Sequence, residues 1–288
     1  MTVDEALLFG ETRLAEAGRD NALFDAKELL CNAADLDKYA LFSNRDLVLP
    51  EDREQHYRAL LDRRADGYPL QYLLGEWDFY DLTLQVGEGV LIPRPETEIL
   101  VDEALTFLHA RKRPDGRPAE VLDLCAGSGC IGLAVAKHAP DCRVTLVEQS
   151  PDALVWLNRN REALAFPNVR VLQADIFAGP AALDLPAADL ILSNPPYVTD
   201  AEMAVLQEEV RYEPRMALEA GEDGLRFYRS LAEDWLPFLT PGGMMAVECG
   251  DRQAEEVARM FAAFAPYTAV IPDFNGINRV VRAGVIKD

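Results

Sequence analysis

The chain has 288 residues, of which 49% are hydrophobic and 27% charged. This composition is typical of a globular protein and excludes the disordered and fibrous classes, and the length suits a small domain joined to a larger one. The formal net charge is −21, which removes the electrostatic attraction on which non-specific nucleic-acid binding depends. We therefore expect no direct nucleic-acid partner. A basic protein partner is compatible with this charge, and so is a role in solubility alone.

The sequence offers no metal site, no disulfide framework and no membrane span. The five cysteines form no Cys-x-x-Cys pair and no ligand spacing with the three histidines, so we expect reduced thiols and no bound metal. The first nine residues, MTVDEALLF, are acidic where a signal peptide is basic, and no apolar run approaches the roughly 18 residues that span a bilayer. A cytoplasmic protein without membrane contact is predicted.

Residues 1–74 are predicted to form a small helical-bundle domain. Thr2 and Glu5 fit a capping box at the start of a first helix. Asn21 fits the N-cap of a second helix, and Gly67 fits the end of a third. The apolar residues expected to face the core are Leu7, Leu8, Leu14 and Ala17 in the first helix, Phe24, Leu29 and Leu30 in the second, and Tyr57, Leu60 and Leu61 in the third.

Residues 75–95 are predicted to be a β-hairpin linker, because residues 77–80 and 82–86 alternate in polarity. In residues 96–288, short apolar runs alternate with helical segments, which is typical of a doubly wound, mostly parallel α/β sheet. The seven runs are residues 121–124, 144–147, 169–172, 190–192, 244–247, 268–271 and 279–285. The last two have no room for a helix between them and should pair as an antiparallel hairpin. Residues 112–118 are expected to be a flexible joint.

A glycine-rich turn follows the first of these strands. Gly127, Gly129 and Gly132 satisfy the pattern GxGxxG, and Glu148 ends the next strand 21 residues after Gly127. One interpretation is a nicotinamide dinucleotide site, in which this acid accepts hydrogen bonds from ribose hydroxyls. However, Asp123 just before the turn would repel a pyrophosphate and suits a cationic ligand. A terminal antiparallel hairpin also differs from the six-stranded parallel Rossmann sheet. A positively charged nucleoside such as S-adenosylmethionine therefore fits better.

The ends of the third and fourth strands carry further candidate residues. Asp175 can accept a hydrogen bond from an adenine amine while Ile176 packs on the ring, although an aspartate there also serves as a helix cap. The fourth strand runs into SNPPYV, residues 193–198. Prolines fix their own backbone and hold the preceding residue extended. This stretch is either a simple strand terminator or a rigid site.

The pieces LDLCAGSG, VEQSP, ADIF and SNPPYV together resemble class I S-adenosylmethionine-dependent methyltransferases that act on planar nitrogens. The stretches PLQYLLGEWDFYDLTLQVGEGVLIPRPETEILVDEAL, EPRMALEAGEDGLRFYRSL, LTPGGMMAVECGDRQ and DFNGINRVVRAG narrow this to a resemblance to the release-factor glutamine methyltransferases, the PrmC or HemK family, over essentially the whole chain. The resemblance implies a Rossmann-like methyltransferase domain preceded by a helical substrate-recognition domain. Cys125 departs from the family pattern, because it replaces the glycine usual at the start of the loop.

The resemblance implies methyl transfer from S-adenosylmethionine to the side-chain amide of the glutamine in the Gly-Gly-Gln loop of class I peptide release factors. The Asn194 side-chain oxygen and the Pro195 backbone oxygen are expected to accept the two hydrogens of the substrate NH2. Tyr197 is expected to offer a flat face to the planar amide and to be catalytic with these two residues, and Pro196 to form a donor-free wall of the substrate site. The predicted cofactor site comprises Asp123, Cys125, Ala126, Gly127, Ser128, Gly129, Glu148, Asp175, Ile176 and Asn194.

Three other functions are open at this point. A related enzyme methylates a glutamine of a ribosomal protein but reads differently where this chain has PRPETE, residues 93–98, which favours release factors. A DNA adenine methyltransferase shares the NPPY chemistry but needs a basic cleft and a base-flipping domain. A non-catalytic binding module on the same fold would show no turnover with labelled S-adenosylmethionine.

Overall fold

The computed structural model describes residues 1–111 and 116–284, which form two compact units. The first unit comprises Met1–Trp77 together with Gln207–Tyr212, and the second contains the remaining described residues. No helix among the described residues has the length and hydropathy of a transmembrane span. The domain limits at residues 74 and 95 stay a prediction. Residues 112–115 of the expected joint and Val285 of the last predicted strand lie outside the described residues.

Five helices build the first unit. They are α1 (Val3–Glu16), α2 (Ala22–Ala34), α3 (Lys38–Ser43), α4 (Glu51–Ala65) and α5 (Leu70–Leu74). The predicted capping box is present at the start of α1, where the Glu5 amide donates to Thr2 Oγ1 and the Thr2 amide donates to Glu5 Oε2. Helices α1, α2, α4 and α5 bury their apolar faces in one core with Leu14, Leu29 and Leu61.

Three expectations for this unit are wrong in detail. The buried face of α1 is formed by Val3, Ala6, Gly10 and Leu14. Leu8 lies off that face and is 65% exposed, and Phe24 of α2 is 47% exposed. Asn21 occupies the N-cap of α2 but its side chain makes no capping hydrogen bond. Its backbone, at φ −107° and ψ 39°, is outside the extended region that N-cap residues adopt.

The segment Gln207–Tyr212 is held in the first unit by a buried arginine. Arg64 of α4 donates from Nε to Asp25 Oδ2 of α2 at 2.6 Å and from Nη2 to Glu209 Oε1 at 2.6 Å. A buried guanidinium needs such partners, because an unpaired charge in the interior is strongly unfavourable. This segment therefore packs with α2 and α4 although it follows them by well over a hundred residues.

The second unit contains the predicted sheet. At the sequence boundary between the two units, the strands β1 (Glu76–Phe79) and β2 (Leu82–Gln85) pair in a separate two-stranded sheet. The main strands are β3 (Glu120–Leu124), β4 (Arg143–Glu148), β5 (Val169–Gln173), β6 (Ala188–Ser193), β7 (Leu239–Glu248), β8 (Tyr267–Pro272) and β9 (Asn278–Gly284). Their order is β5-β4-β3-β6-β7-β9-β8, with β9 antiparallel to both β7 and β8 and the other pairs parallel. The doubly wound, seven-stranded, mostly parallel fold is confirmed.

Helices cover both faces of this sheet. They are α6 (Glu98–Ala110), α7 (Cys130–His138), α8 (Pro151–Leu164), α9 (Asp200–Met203), α10 (Arg226–Ser230) and α11 (Ala254–Phe261). Alternate residues of β3 enter two different cores, since Val121 packs in the cluster that includes α6 and α7 while Leu122 packs in the cluster that includes α11. Both faces of a strand in such a sheet are buried, which explains why these strands read as continuous apolar runs.

Candidate active site

The carboxyl ends of the parallel strands β3, β4, β5 and β6 meet at one edge of the sheet, where a pocket opens. The space between its walls, including the open solvent at its mouth, is about 900 Å³. The predicted residues that line it are Cys125, Ala126, Gly127, Ser128, Glu148, Asp175, Ile176, Asn194 and Pro196. The predicted residues outside its lining are Asp123, Gly129, Pro195 and Tyr197. Most residues predicted from the sequence therefore line this pocket, and the other four lie within two positions of lining residues in the sequence.

The glycine loop between β3 and α7 has a left-handed backbone at three positions. Cys125, Gly127 and Gly129 have φ values of +61°, +56° and +83°. A Cβ on Gly127 would meet no atom within 4 Å, so this glycine faces open space in the pocket. A Cβ on Gly132 would lie 2.1 Å from Leu146 Cδ2. Gly127 thus leaves room for a ligand, while Gly132 lets α7 approach β4.

Glu148 ties the loop to the end of β4. Its Oε2 accepts from the Gly127 amide at 2.8 Å, and its Oε1 accepts from the Ser150 amide at 2.7 Å. Burial raises the pKa of this carboxyl, while the backbone amides act in the opposite direction. A carboxylate has about four acceptor positions, and backbone amides of Gly127, Gln149 and Ser150 interact with this one, so capacity for a further donor remains at the pocket wall.

Asp123 supports the loop from below the pocket. It is fully buried, and its Oδ2 accepts from the Gly132 amide at 2.8 Å. Its Oδ1 has no hydrogen-bond partner among the described residues. Burial raises the pKa of Asp123 to about 7. Any effect of this carboxyl on a ligand is therefore exerted through the loop or at a distance.

Asp175 caps a short turn and also lines the pocket, so its role towards an adenine amine stays a prediction. Its Oδ1 caps the short 3-10 turn Ile176–Ala178 by accepting from the Phe177 amide at 3.0 Å. The same residue lines the pocket beside Ile176, which is 4% exposed. Phe227 adds an aromatic ring to this wall. An apolar slot with one carboxylate is chemically suited to a heteroaromatic ring carrying an amine.

Cys125 is an L-residue in a conformation that favours glycine. A left-handed backbone costs an L-residue roughly 1–2 kcal/mol, yet the loop closes, because the next amide, that of Ala126, donates to the Val147 carbonyl at 3.0 Å. Burial raises the pKa of the Cys125 thiol well above its ordinary value. The side chain is therefore a neutral thiol in the pocket wall, held on a strained backbone.

The stretch after β6 divides between the pocket and its surroundings. Asn194 and Pro196 line the pocket, and Asn194 Nδ2 donates to Thr97 Oγ1 at 3.2 Å. The backbone oxygen of Tyr197 accepts from Gln253 Nε2 at 3.0 Å. Burial raises the pKa of the Tyr197 hydroxyl, and its ring packs against the core cluster that includes α11. The flat face expected of Tyr197 is therefore not part of the pocket wall.

Sequence reasoning assigned no role to several residues of the site. Thr97 lines the pocket and donates from Oγ1 to Glu248 Oε2 at the end of β7, at 2.6 Å. Glu213 is buried and accepts from the Ile92 amide and from the Arg94 guanidinium, both in the pocket wall. These residues could have been identified from the sequence, because they lie in the stretches that carry the family resemblance. Among the described residues, no cluster of histidine, cysteine and acidic side chains could hold a metal.

Known proteins match both units. Residues 5–75 match the family described as PrmC N-terminal domain, and residues 100–222 match the methyltransferase small domain. The chain is 42% identical over 284 residues to the release factor glutamine methyltransferase of Geobacter sulfurreducens, covering 97% of this chain and 95% of the relative. It is 36% identical over 237 residues to that of Escherichia coli K12, covering 82% of each. The hMettl16 catalytic domain, solved with a MAT2A 3′UTR hairpin, shares the fold, with a TM-score of 0.55 at 13% identity over 85% of each chain. From the first two relatives it follows that this chain belongs to the release factor glutamine methyltransferase family.

Proposed function

We propose that this chain methylates the side-chain amide nitrogen of the glutamine in the Gly-Gly-Gln loop of class I peptide release factors. Its membership of the family supports the reaction and the substrate. The observation that carries the proposal is the position of Asn194, which directly follows β6 and lies in the wall of the pocket. An asparagine held between a ligand pocket and a proline pair is suited to receiving a planar NH2 group.

The pocket fits S-adenosylmethionine, which supplies an activated methyl group on a positively charged sulfur. Its charged wall residues are Glu148, Asp175 and Arg94, and Arg94 is paired with the buried Glu213. The carboxylates therefore dominate the local field, which favours a cationic ligand. We assign Glu148 to the ribose hydroxyls, Asp175 and Ile176 to the adenine, and the loop from Cys125 to Ser128 to the remaining wall.

Asn194 and Pro195 would orient the substrate. An amide nitrogen is a poor nucleophile because its lone pair is shared with the carbonyl. The Asn194 Oδ1 and the Pro195 backbone oxygen would each accept one hydrogen of the substrate NH2, which holds the nitrogen in line and favours its pyramidal geometry as the bond forms. The two prolines keep these acceptors rigid. We assign Pro196 and Tyr197 to shaping this site, Tyr197 through its packing.

The reaction needs no strong base on the protein. The substrate nitrogen becomes acidic once the new N–C bond has formed, so its proton can leave to water. The histidines fit this view, since His56, His109 and His138 are all absent from the pocket lining. His138 instead contacts Asp81 at 3.0 Å.

The helical unit is the candidate site for recognising the protein substrate. It contains the segment that matches the PrmC N-terminal domain. Several of its large apolar side chains are exposed, among them Leu8, Tyr39 and Phe42. Together with the negative charge of the chain, these side chains are suited to a protein partner that carries basic and apolar groups.

The proposal is tested by methyl incorporation from labelled S-adenosylmethionine into a purified class I release factor. We expect incorporation into the natural factor and none into the same factor with Gln→Ala in its Gly-Gly-Gln loop. Asn194→Ala should reduce turnover by on the order of 10² to 10³, as for the loss of one polar group at an oxyanion hole, with cofactor affinity largely retained. Asn158→Ala, outside the pocket lining, is the matched control. Equal labelling of both factors would refute the proposal.

A further inference from the structure

Asn194 is the first member of a chain of three buried or half-buried polar side chains. Its Nδ2 lies 3.2 Å from Thr97 Oγ1, and Thr97 Oγ1 lies 2.6 Å from Glu248 Oε2. Thr97 and Glu248 are each 2% exposed. Glu248 makes no ion pair with any described residue, so its hydrogen bond to Thr97 is an important compensation for burying the carboxyl.

Thr97 lies at a helix start but does not cap the helix. It is the N-cap residue of α6, and its side chain makes no capping hydrogen bond. Thr97 also ends the 3-10 turn Pro95–Thr97 and has helical backbone angles, φ −68° and ψ −19°, outside the extended region from which an N-cap side chain accepts. Its hydroxyl contacts Glu248 and Asn194 instead. The hydroxyl of Thr97 therefore serves the pocket and not the start of the helix.

The protons available on these three side chains determine which group donates and which accepts in each hydrogen bond. A hydroxyl has one proton, and an ionised carboxylate can only accept. The Thr97 proton must therefore point to Glu248, which leaves a lone pair of Oγ1 facing Asn194. Only the Nδ2 end of the Asn194 amide can donate to that lone pair. Oδ1 is then turned away from Thr97 and is available as an acceptor.

We propose that Thr97 and Glu248 are positioning residues that hold Asn194 with its oxygen, rather than its nitrogen, towards the substrate amide. This inference rests on the proposed function, because it assumes that Asn194 Oδ1 accepts from the substrate NH2. An Asn194 amide rotated by half a turn would present a donor to a donor and would disfavour the productive complex. Glu248 thus acts on the reaction through two other side chains without contacting substrate.

The protonation state of Glu248 decides whether the hydrogen bonds from Asn194 to Thr97 and from Thr97 to Glu248 keep their donors and acceptors. Burial raises the pKa of Glu248 to about 7, with Glu96 acting in the same sense, while the Thr97 hydroxyl and the charges of Arg279 and Arg94 lower it. The other titratable groups that interact electrostatically with Glu248 are Tyr197, Tyr228, Cys130 and Cys249. Once protonated, Glu248 can donate to Thr97, whose proton can then turn to Asn194 and reverse its amide. We expect kcat to rise with pH through the region near 7.

The test combines three substitutions with a matched control. Thr97→Val removes the hydroxyl at nearly constant shape, Thr97→Ser keeps it, and Glu248→Gln keeps the shape but removes the ionisation. Thr240→Val is the control, because Thr240 Oγ1 also donates to a buried carboxylate, Asp189 Oδ1, at 2.7 Å. Both Asp189 and Thr240 lie near the amino ends of their strands, away from the pocket.

We expect Thr97→Val to lower kcat by on the order of tenfold, with little change in S-adenosylmethionine affinity, and Thr97→Ser to recover most of this loss. Glu248→Gln should lose the rise of kcat between pH 6 and pH 8 (roughly one unit on either side of the raised pKa). Thr240→Val should keep the parental pH profile. Thermal unfolding checks that each variant is folded, and if Thr97→Val is not, Glu248→Gln decides.

Two outcomes separate the inference from the proposed function. Parental kcat and pH profile in both Thr97→Val and Glu248→Gln, with Asn194→Ala inactive, would overturn the positioning role alone. Parental turnover by Asn194→Ala would instead remove Asn194 from the mechanism, and the positioning role with it.

Discussion

The Gly127 amide donates a 2.8 Å hydrogen bond to Glu148 Oε2, so the glycine loop and the end of β4 form one connected wall. The same carboxylate accepts from the Ser150 amide at the start of α8. One side chain therefore fixes the glycine loop to the connection between β4 and α8. Changes at Glu148 should affect both the ligand and the loop.

Glu148→Ala should weaken S-adenosylmethionine binding by about tenfold or more, because it removes the proposed acceptor for the ribose hydroxyls and frees the loop amide. Glu148→Gln keeps one acceptor oxygen and should show a smaller loss. Isothermal titration calorimetry measures both affinities, and denaturant unfolding separates the loss of stability from the loss of contact. An unchanged affinity in Glu148→Ala would remove this residue from the cofactor site.

Cys125→Gly and Cys125→Ala should differ in stability although both delete the thiol. Cys125 has φ +61°, a conformation that costs an L-residue roughly 1–2 kcal/mol and costs glycine little. We expect the glycine variant to be more stable than the alanine variant by about 1 kcal/mol, after allowing for the greater freedom of glycine in the unfolded chain. Urea unfolding measures the difference. Equal stabilities would show that the loop relaxes around an L-residue.

Gly132→Ala and Gly127→Ala should separate packing from ligand access. A Cβ on Gly132 would meet Leu146 Cδ2 at 2.1 Å, whereas one on Gly127 would meet nothing within 4 Å. Gly132→Ala should destabilise the fold by about 1–3 kcal/mol through overpacking. Gly127→Ala should lower the stability of the fold only through backbone strain. It should impair S-adenosylmethionine binding, since the added methyl group enters the pocket. Equal effects of the two variants on affinity would contradict this assignment.

Asn194→Asp should leave turnover slow while S-adenosylmethionine affinity is maintained or raised. The new carboxylate keeps an acceptor but adds a negative charge beside the cofactor, which stabilises its cationic ground state more than the transition state. It also lacks the Nδ2 donor that contacts Thr97 at 3.2 Å. Single-turnover kinetics measures the rate of methyl transfer, and calorimetry measures the affinity for S-adenosylmethionine. Near-parental rates in this variant and in Asn194→Ala would leave SNPPYV as a strand terminator.

Association with the release factor should slow as ionic strength rises. The chain carries a formal net charge of −21, and screening shortens the reach of such a field to about 8 Å at physiological salt. If the charge steers a basic partner, the association rate constant measured by stopped flow falls with added salt while the dissociation rate changes less. A salt-independent association rate would leave solubility as the role of the charge.

The sequence predicted most of what depends on local pattern or on strand ends. The capping box at Thr2, the order of apolar runs and the pocket residues at the ends of β3 to β6 were all accessible, because parallel strands bring their carboxyl ends to one edge. Exposure of Leu8 was not, since it depends on which face of α1 meets the other helices. Pairing of Thr97 with Glu248 joins residues separated by 151 positions, and no local pattern records such a contact.

The position of Gln207–Tyr212 limits how this chain can be divided. A fragment that begins at Asp78 keeps this segment but loses Arg64, which binds Glu209, and Tyr68, whose ring lies 5.2 Å from that of Tyr212. A fragment that ends at Trp77 leaves the Arg64 guanidinium with one carboxylate fewer. The helical unit is thus discontinuous in sequence. A fragment that contains the whole helical unit must include both Met1–Trp77 and Gln207–Tyr212. Truncation at a single position therefore separates neither unit intact.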